Sequence, residues 1–402
     1  MPPSSIVVKL KMVNSTLIFN RLVPNKLKQR RSKERTTENP TNTSNLESNA
    51  IANLRSWQEV ESVGTCRPGF SGHGHIVIGS ELYTFGGHGE DAGSEKNERL
   101  LGDLYCLNLK TFQWRLVRTH GCGPSPRASC TMCPGAHDGT FIVCGGYRTS
   151  SESDVFEFNT HDRHWRKLEV RSSGVDNGPI YGHTACLYKD SMILFGGTSG
   201  NLFWNGISTL NLLTMKQENV ATTGDAPCPR YKHQSQIVGS KMYVIGGGTF
   251  TTCSKDIDVY CLDLIRYSWT KLCTSGDVPP ARVAHSIAYD DSTRNILLWG
   301  GLDQNKNRQQ DFFVLDVDTC IWRQIAQDTA KPPSRAFHAA CFHEGSFFIF
   351  GGSSEHGRFS DTWRYPVRVT PPPLSSIIVK QCFHNHPEAM TSLQGMDMKI
   401  LK

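Results

Sequence analysis

Lys241-Met-Tyr-Val-Ile-Gly-Gly247 is a short strand-type run that ends on two glycines, and the chain writes this phrase six times. The pairs are Gly86-Gly87, Gly145-Gly146, Gly196-Gly197, Gly246-Gly247, Gly300-Gly301 and Gly351-Gly352, at steps of 59, 51, 50, 54 and 51 residues. The other five runs are Glu81-Leu-Tyr-Thr-Phe85, Thr140-Phe-Ile-Val-Cys144, Ser191-Met-Ile-Leu-Phe195, Asn295-Ile-Leu-Leu-Trp299 and Ser346-Phe-Phe-Ile-Phe350. Glycine at a strand end can take φ > 0 and lets neighbouring backbone approach closely. Six copies at one period mean a repeat architecture rather than six accidents.

Working outward from the glycines, a second column is aromatic. Trp57, Trp114, Trp165, Trp269 and Trp322 precede the next Gly-Gly by 29, 31, 31, 31 and 29 residues. The sixth position falls on Gln217, 29 residues before Gly246. A large ring on an outer strand can fill the wedge between adjacent sheets. Two-glycine strand ends with a following aromatic, at a period near 50, resemble the Kelch repeat. The expectation is an all-β chain: a six-bladed Kelch β-propeller of four-stranded sheets, an arrangement that leaves only short, protected edges. After Gly352 the chain offers one more strand, Asp361-Thr-Trp-Arg-Tyr365, and no Trp-bearing outer strand. Ser56-Trp-Gln-Glu-Val60 is therefore expected to supply the fourth strand of the last blade and close the ring.

Composition sets the flanks apart. The net charge is +6, but residues 1–56 hold ten Lys/Arg against three Asp/Glu, which leaves 33 against 34 in the remainder. A near-neutral repeat region is a poor electrostatic partner for nucleic acid. Residues 1–52 read as a disordered basic tail. Within it, Lys26-Leu-Lys-Gln-Arg-Arg-Ser-Lys-Glu-Arg35 is either a nuclear-import or anion-binding stretch or simply a solvated run. The propeller is assigned to residues 53–369. Residues 370–402 follow, with the stiff break Thr370-Pro-Pro-Pro373 and then a short helical segment. Lys9 and Lys11 interrupt the apolar stretch from Ile6 to Phe19, so no membrane span is expected. The 14 cysteines follow no disulfide framework and read as reduced thiols of a cytoplasmic, or also nuclear, protein.

A recognition surface would lie on the loops after each Gly-Gly and before each inner strand, which share one face. The inner strands open with Gly69-Phe-Ser-Gly-His73, Pro126-Arg-Ala-Ser-Cys130, Pro179-Ile-Tyr-Gly-His183, Pro229-Arg-Tyr-Lys-His233, Ala281-Arg-Val-Ala-His285 and Ser334-Arg-Ala-Phe-His338. One column holds Arg127, Arg230, Arg282 and Arg335. Their planar forks suit carboxylates, so they are expected to bind an acidic or C-terminal peptide, unless they brace loop carbonyls. The histidine column, His73, His183, His233, His285 and His338, reads as scaffold rather than a metal site because it repeats. Tyr181 and Tyr231 stand beside the arginines, and the following loops carry Tyr147-Arg148, Phe203-Trp204 and Phe250. Aromatics and arginine on loops dominate binding hot spots, so Arg148, Tyr181, Trp204, Tyr231 and Phe250 join the expected peptide readers.

No catalytic constellation is legible. Cys130 and Cys133 sit three apart on one expected strand and point to opposite faces, against a zinc site. Cys382-Phe-His-Asn-His386 lacks an evident fourth ligand. There is no phosphate loop, nucleophile elbow or paired acids in register. The expectation is a non-catalytic binding module without cofactor or metal.

From about Trp57 to Tyr365 the chain resembles the Kelch-domain-containing proteins. The more specific likeness lies in Ile180-Tyr-Gly182 with Phe195-Gly-Gly-Thr-Ser-Gly200, and in Pro229-Arg-Tyr-Lys-His233 with Ile245-Gly-Gly-Gly-Thr249. The resemblance implies a substrate receptor of a cullin–RING ubiquitin ligase whose propeller reads the C-terminus of its substrate, a C-degron, and which binds elongin B/C through a segment after the propeller. Arg230, Arg282 and Tyr231 would then be among the readers. The adaptor segment would be Pro373-Leu-Ser-Ser-Ile-Ile-Val-Lys-Gln-Cys382, with Leu374 and Ile378 as contacts. Leu374 fits the elongin-binding pattern; Ile378 departs from it, where a small Cys, Ser or Ala is expected. The alternative is a Kelch scaffold that regulates a signalling enzyme or trafficking factor.

Overall fold

The computed structural model describes residues 12–13, 16–17, 56–65, 69–90, 98–172, 180–249 and 255–367. Among the described residues every regular element is a strand. In the unit formed by residues 1–48, Met12–Val13 pairs antiparallel with Thr16–Leu17, within the stretch expected to be disordered. Residues 49–402 form the second unit, which holds six sheets of four or five strands and one small three-stranded pairing.

Each sheet grows outward from an inner strand. In the fourth, Gln234–Val238 pairs with Lys241–Ile245, which pairs with Val259–Asp263, which pairs with Ser268–Lys271, all antiparallel. Alternation explains the burial: side chains of a strand covered on both faces are apolar throughout, as in Met242, Tyr243, Val244 and Ile245. The inner strands are Gly74–Ile78, Thr131–Pro134, Thr184–Tyr188, Gln234–Val238, Ser286–Asp290 and Ala339–His343. Each contacts the next, and the last contacts the first. In the sixth sheet the outermost member comes from the other end of the unit, with Gln58 opposite Arg364 and Glu59 opposite Trp363.

Five of the six sheets differ from the four-stranded expectation. A two-residue strand lies parallel to the outer edge of each, as Thr223–Gly224 does beside Ser268–Lys271. The connection leaving one sheet crosses the outer edge of the next before turning inward, so it runs alongside that edge. Gly64, Gly121, Gly224 and Gly276 occupy this position at positive φ. A Cβ on Gly224 would lie 2.2 Å from the Trp269 carbonyl oxygen, so glycine is required there, whereas the third sheet makes its crossing with Ser172 beside Gln217.

The core is divided into wedges between neighbouring sheets, and tryptophan fills them. Trp57 lies in the cluster joining the fifth and sixth sheets, Trp114 in that joining the sixth and first, and Trp165 in that joining the first and second. Trp269 fills the wedge between the third and fourth sheets, and Trp322 that between the fourth and fifth. The wedge without one joins the second and third sheets through Cys133, Cys144, Met192 and Leu210. Gln217, at the vacant position, is half-buried and donates to Ser208 Oγ at 2.9 Å.

Two sets of backbone hydrogen bonds tie the sheets together. The second glycine of each pair donates to a carbonyl opening the next sheet: Gly87 to Arg127, Gly146 to Ile180, Gly197 to Arg230, Gly247 to Arg282, Gly301 to Arg335 and Gly352 to Phe70, at 2.8–3.0 Å. The residue before each inner-strand histidine or cysteine donates to its counterpart in the preceding sheet. Ser129 donates to Gly72, Gly182 to Ser129, Lys232 to Gly182, Ala284 to Lys232, Phe337 to Ala284, and Gly72 to Phe337, at 2.7–3.0 Å. All six sit at φ between 53° and 65°. Four of them are not glycine, and the left-handed region costs such residues about 1 kcal/mol or more. The hydrogen bonds hold them there.

The glycine pairs are therefore packing requirements as well as turns. At Gly247, φ is 83° and an added Cβ would meet His233 Cβ at 2.5 Å and the His233 amide nitrogen at 2.9 Å. Gly247→Ala should cost about 2–5 kcal/mol from strain and overpacking, measured by denaturant unfolding. Gly239→Ala has the same left-handed backbone but open space around it, and should cost about 1–2 kcal/mol. Equal losses at both sites would remove the packing explanation.

Candidate functional site

The six left-handed residues Gly72, Ser129, Gly182, Lys232, Ala284 and Phe337 rim a cavity of about 610 Å³ that the inner strands line. The loops after the Gly-Gly pairs join the same face through single bridges, such as Tyr147 with Ala128, Thr198 with Tyr181, and Gly248 with Tyr231. This is the face on which the sequence placed its recognition residues.

The arginine column does not present its charge there. Arg127, Arg230, Arg282 and Arg335 are at most 1% exposed. Arg230 Nη1 and Nη2 donate to the two carboxylate oxygens of Asp258 at 2.8 and 3.0 Å. Its Nη1 also reaches the Gly246 carbonyl at 2.7 Å, and its Nε the Cys228 carbonyl at 3.1 Å. Arg127, Arg282 and Arg335 repeat the arrangement with Asp154, Asp311 and Asp361 and with the carbonyls of Gly145, Gly300 and Gly351. An aromatic ring lies beneath each guanidinium: Phe156, Tyr260, Phe313 and Phe359. The expectation that these four read a peptide is corrected. A buried guanidinium already paired with a carboxylate and a carbonyl inside its own sheet does not present its fork to a peptide on the surface.

A signal for this existed in the sequence. Asp154, Asp258, Asp311 and Asp361 form their own column, one residue before the third strand of each sheet. The third sheet, with Ile180 in the arginine position, has Gly206 in the aspartate position. The first sheet departs from the pairing, with Asp103 in the aspartate position and Phe70 in place of the arginine.

The histidines pack inward. Desolvation holds His183 near pKa 4 and His285 near 3, and holds His233 and His338 well below the ordinary value. His233 Nε2 lies 2.9 Å from Thr184 Oγ1, and His338 Nε2 lies 2.5 Å from Ser286 Oγ. Their Cβ atoms and ring edges press against the Gly-Gly pairs. Cys130 and Cys133 fall in different clusters, on the first–second and second–third sheet wedges. Among the described residues no three metal-ligating side chains converge.

What does gather at the face is aromatic. Tyr147 and Tyr181 have ring centroids 5.2 Å apart, Tyr181 and Tyr231 6.4 Å, and Phe203 and Tyr231 5.3 Å. Tyr147 is 40% exposed, and the other three are half-buried. Burial raises the phenol pKa of Tyr181 and Tyr231, with smaller contributions from Tyr147 and Tyr181 respectively. Arg148 is exposed beside Tyr147. Trp204 is half-buried, its main chain bonded to Gly197 and Arg230 and its indole nitrogen buried without a hydrogen-bond partner. Phe250, Leu374 and Ile378 lie outside the described residues.

The residue that the sequence reading missed is Lys232. It shares the rim with five uncharged residues, and its Nζ lies 4.2 Å from the Phe337 ring centroid and 4.9 Å from that of Tyr231. Burial lowers its pKa to about 8. It stood inside the quoted Pro229-Arg-Tyr-Lys-His233, hidden by the arginine two residues earlier.

Two predictions separate scaffold from surface. Asp311→Ala leaves a guanidinium buried and unpaired and should cost about 3 kcal/mol of stability, whereas Arg148→Ala should stay within about 0.5 kcal/mol; denaturant unfolding of both checks this. The histidines set an acid limit. Their folded values lie below the ordinary 6.5, so the neutral forms are bound to the fold. That stability is complete above pH 6.5 and is lost as pH falls from there through about 4 and then 3. The unfolding temperature should drop across this window, and less steeply in His183→Gln. An identical slope in that variant would assign the acid limit elsewhere.

The comparisons agree with this geometry. The KLHDC2/KLHL20/DRC7 Kelch-repeats domain matches residues 36–176, 136–258 and 232–371. Kelch domain-containing protein 10 of Rattus norvegicus is 28% identical over 304 residues, 71% of this chain and 72% of that protein. The Homo sapiens protein of that name is 27% identical over 304 residues, 71% of this chain and 66% of its own length. Acyl-CoA-binding domain-containing protein 4 of Arabidopsis thaliana is 28% identical over 300 residues, and the chain spans 71% of itself but only 43% of that relative. The solved structure of YjhT superposes with a TM-score of 0.56 at 15% identity, covering 74% of this chain and 95% of YjhT, which supports the fold alone. Kelch-repeat domains are generally binding modules that mediate protein–protein interaction. With repeat-domain matches running from residue 36 to residue 371, the chain belongs to the Kelch-repeat family and is similar to Kelch domain-containing protein 10.

Proposed function

We propose that the six sheets are the blades of one closed, six-bladed Kelch propeller, sealed by Gln58–Glu59 on the last blade, and that the loop face is a peptide-binding surface. The observation that carries the second part is the aromatic run Tyr147, Tyr181, Tyr231 and Phe203 beside the cavity mouth. Tyrosine offers a large, stiff contact area together with a hydroxyl, at little cost in rotamer entropy. The peptides are substrate segments that end in, or carry, carboxylates. The protein is the substrate-recognition subunit of a cullin–RING ubiquitin ligase, reading C-terminal degrons, in the cytoplasm and also the nucleus. It acts by proximity, without an active site, and Leu374 and Ile378 engage elongin B/C.

The second reading, a Kelch scaffold that regulates a signalling enzyme or trafficking factor, uses the same face but needs no adaptor; the departure at Ile378 from a small residue favours it. The two part at the C-terminal segment. The purified full chain should retain elongin B/C stoichiometrically on a column, and Leu374→Asp should lose at least ten-fold in affinity. A wild-type chain that passes elongin B/C unretained leaves the scaffold reading in its place.

A further inference from the structure

Five of the six outer sheet edges carry a crossing strand, and the sixth does not. Six and seven residues after each tryptophan position, the connection lies parallel to the next outer strand, as Val63–Gly64, His120–Gly121, Arg171–Ser172, Thr223–Gly224 and Ser275–Gly276. In the first, fourth and fifth sheets the tryptophan carbonyl beside it accepts a hydrogen bond. Trp114 accepts from Thr65, Trp269 from Asp225 and Trp322 from Asp277, at 3.0–3.3 Å. The connection leaving the fifth sheet has Asp328-Thr329 at these positions and forms no strand. Its Gln327 accepts the Trp57 indole N–H instead, at 2.8 Å. Gln58–Glu59 is therefore the outermost strand of the sixth sheet. Val60 donates its N–H inward to Thr362, so alternation turns the main-chain groups of Trp57 and Glu59 outward. Among the described residues no backbone donor reaches the Trp57 carbonyl. An uncovered strand edge is a template for one more strand.

We propose that this edge receives the chain's own C-terminal segment, Ser375 to Lys380, as a parallel strand in the register of the crossing strands elsewhere.

The occupant follows from where the described chain ends. Thr362–Pro366 pairs antiparallel with Gln58–Glu59, Arg364 opposite Gln58, so Val367 leaves at the end where the outer strand begins. A segment returning from there runs parallel to that strand, as all five crossing strands do. The edge lies two strand spacings away, about 10 Å. Residues 368–374 reach about 24 Å when extended, and Thr370-Pro-Pro-Pro373 stiffens that reach. Beyond it, Ser375-Ser-Ile-Ile-Val-Lys380 has β-branched residues at its centre. The third sheet supplies the register, because it crosses with Ser172 beside Gln217, the tryptophan position. Ser376 beside Trp57 reproduces this. It aims the Ile377 N–H at the Trp57 carbonyl and sets Lys380 beside Glu61, which is exposed. Two other occupants fit less well. The chain before Ser56 carries Asn42, Asn45, Asn49 and Asn53, a residue depleted in strands. A second copy pairing edge to edge would bring Glu59 and Glu61 against the same acids. The inference does not rest on the ligase reading, which gives Leu374 and Ile378 to elongin B/C.

The test reads amide hydrogen exchange at Glu59 in the full chain labelled with ¹⁵N-glutamate, the signal being assigned by its loss in Glu59→Gln. Docking should slow this amide about ten-fold or more relative to an unprotected one. Ile377→Pro removes the donor to Trp57 and should restore fast exchange. Ile378→Pro, whose N–H would point away from the edge, should leave the amide protected. Lys380→Glu should speed exchange about three-fold, and Glu61→Lys in the same chain should restore the protection. Glu157, in the central strand Val155–Asn159, reports folding in the same sample and should exchange equally slowly in every variant. A Glu59 amide that exchanges freely in the wild type overturns the proposal. So does protection that survives Ile377→Pro: it assigns the edge to a second copy if dilution abolishes it, and to the N-terminal segment if dilution does not. Equal loss in Ile378→Pro overturns the register. Neither elongin B/C nor a substrate peptide is present, so these outcomes are separate from those that test the ligase reading.

Discussion

Six amides around the cavity mouth donate to six carbonyls, each crossing from one sheet to the one before it, and the series returns from Gly72 to Phe337 without a gap. This circuit fixes more than any other feature. Each of its members has a left-handed backbone, a state that an isolated Ser, Lys, Ala or Phe avoids. Neither the conformation nor the hydrogen bond persists alone, since the bond exists only when the neighbouring sheet is docked. Local backbone geometry and sheet-to-sheet assembly are thus one equilibrium. The same coupling explains why the inner strands begin where they do. The left-handed residue reverses the chain, so that the following histidine or cysteine starts the inner strand with its Cβ against the second glycine of its own sheet.

Arginine and aspartate then stiffen the loops above this circuit. Each guanidinium links the carbonyl two residues before it, the first glycine of the pair and the carboxylate at the start of the third strand. Three separate segments of one sheet and its loops are held by one side chain, in surroundings dry enough to make those bonds strong. Buried ion pairs add little net stability against an apolar replacement, but they fix geometry. The first and third sheets lack the arginine and put Phe70 and Ile180 in its place, both buried. Their loops depend on packing where the others depend on charge.

Most of the fold was legible because its determinants are local and repeated. Gly-Gly at a strand end and a tryptophan about 30 residues earlier are each dictated by a steric fact inside one repeat. The parallel edge strands escaped notice because two residues such as Thr223-Gly224 carry no periodicity. The site was harder to read. A side chain's type gives its chemistry, but whether that chemistry is available depends on partners far away in sequence. Arg282 and Asp311 lie 29 residues apart, and only comparing columns across repeats would have paired them. Tyr181 and Tyr231 were legible since they break their columns. Lys232 breaks its column just as clearly, but a nearby arginine with four copies drew the inference away.

The loop face is not six-fold in character, although the circuit below it is. On the side of the fifth and sixth sheets, side chains staple loops together: Arg308 Nε donates to the Ser353 carbonyl at 2.9 Å, and Arg358 Nε to Ser71 Oγ at 3.1 Å. On the side of the second to fourth sheets, neighbouring loops meet through tyrosine and phenylalanine rings and one long Ser151–Ser199 hydrogen bond of 3.3 Å. Aromatic contacts tolerate sliding in a way that directed hydrogen bonds do not. Lys232 sits where the two halves meet, with its ammonium over Phe337 of the sixth sheet and Tyr231 of the fourth. A repeat scaffold with equal loops would give a bound chain no preferred direction. Stapled loops on one flank, an aromatic wall on the other and Lys232 between them break that equality without disturbing the backbone circuit beneath.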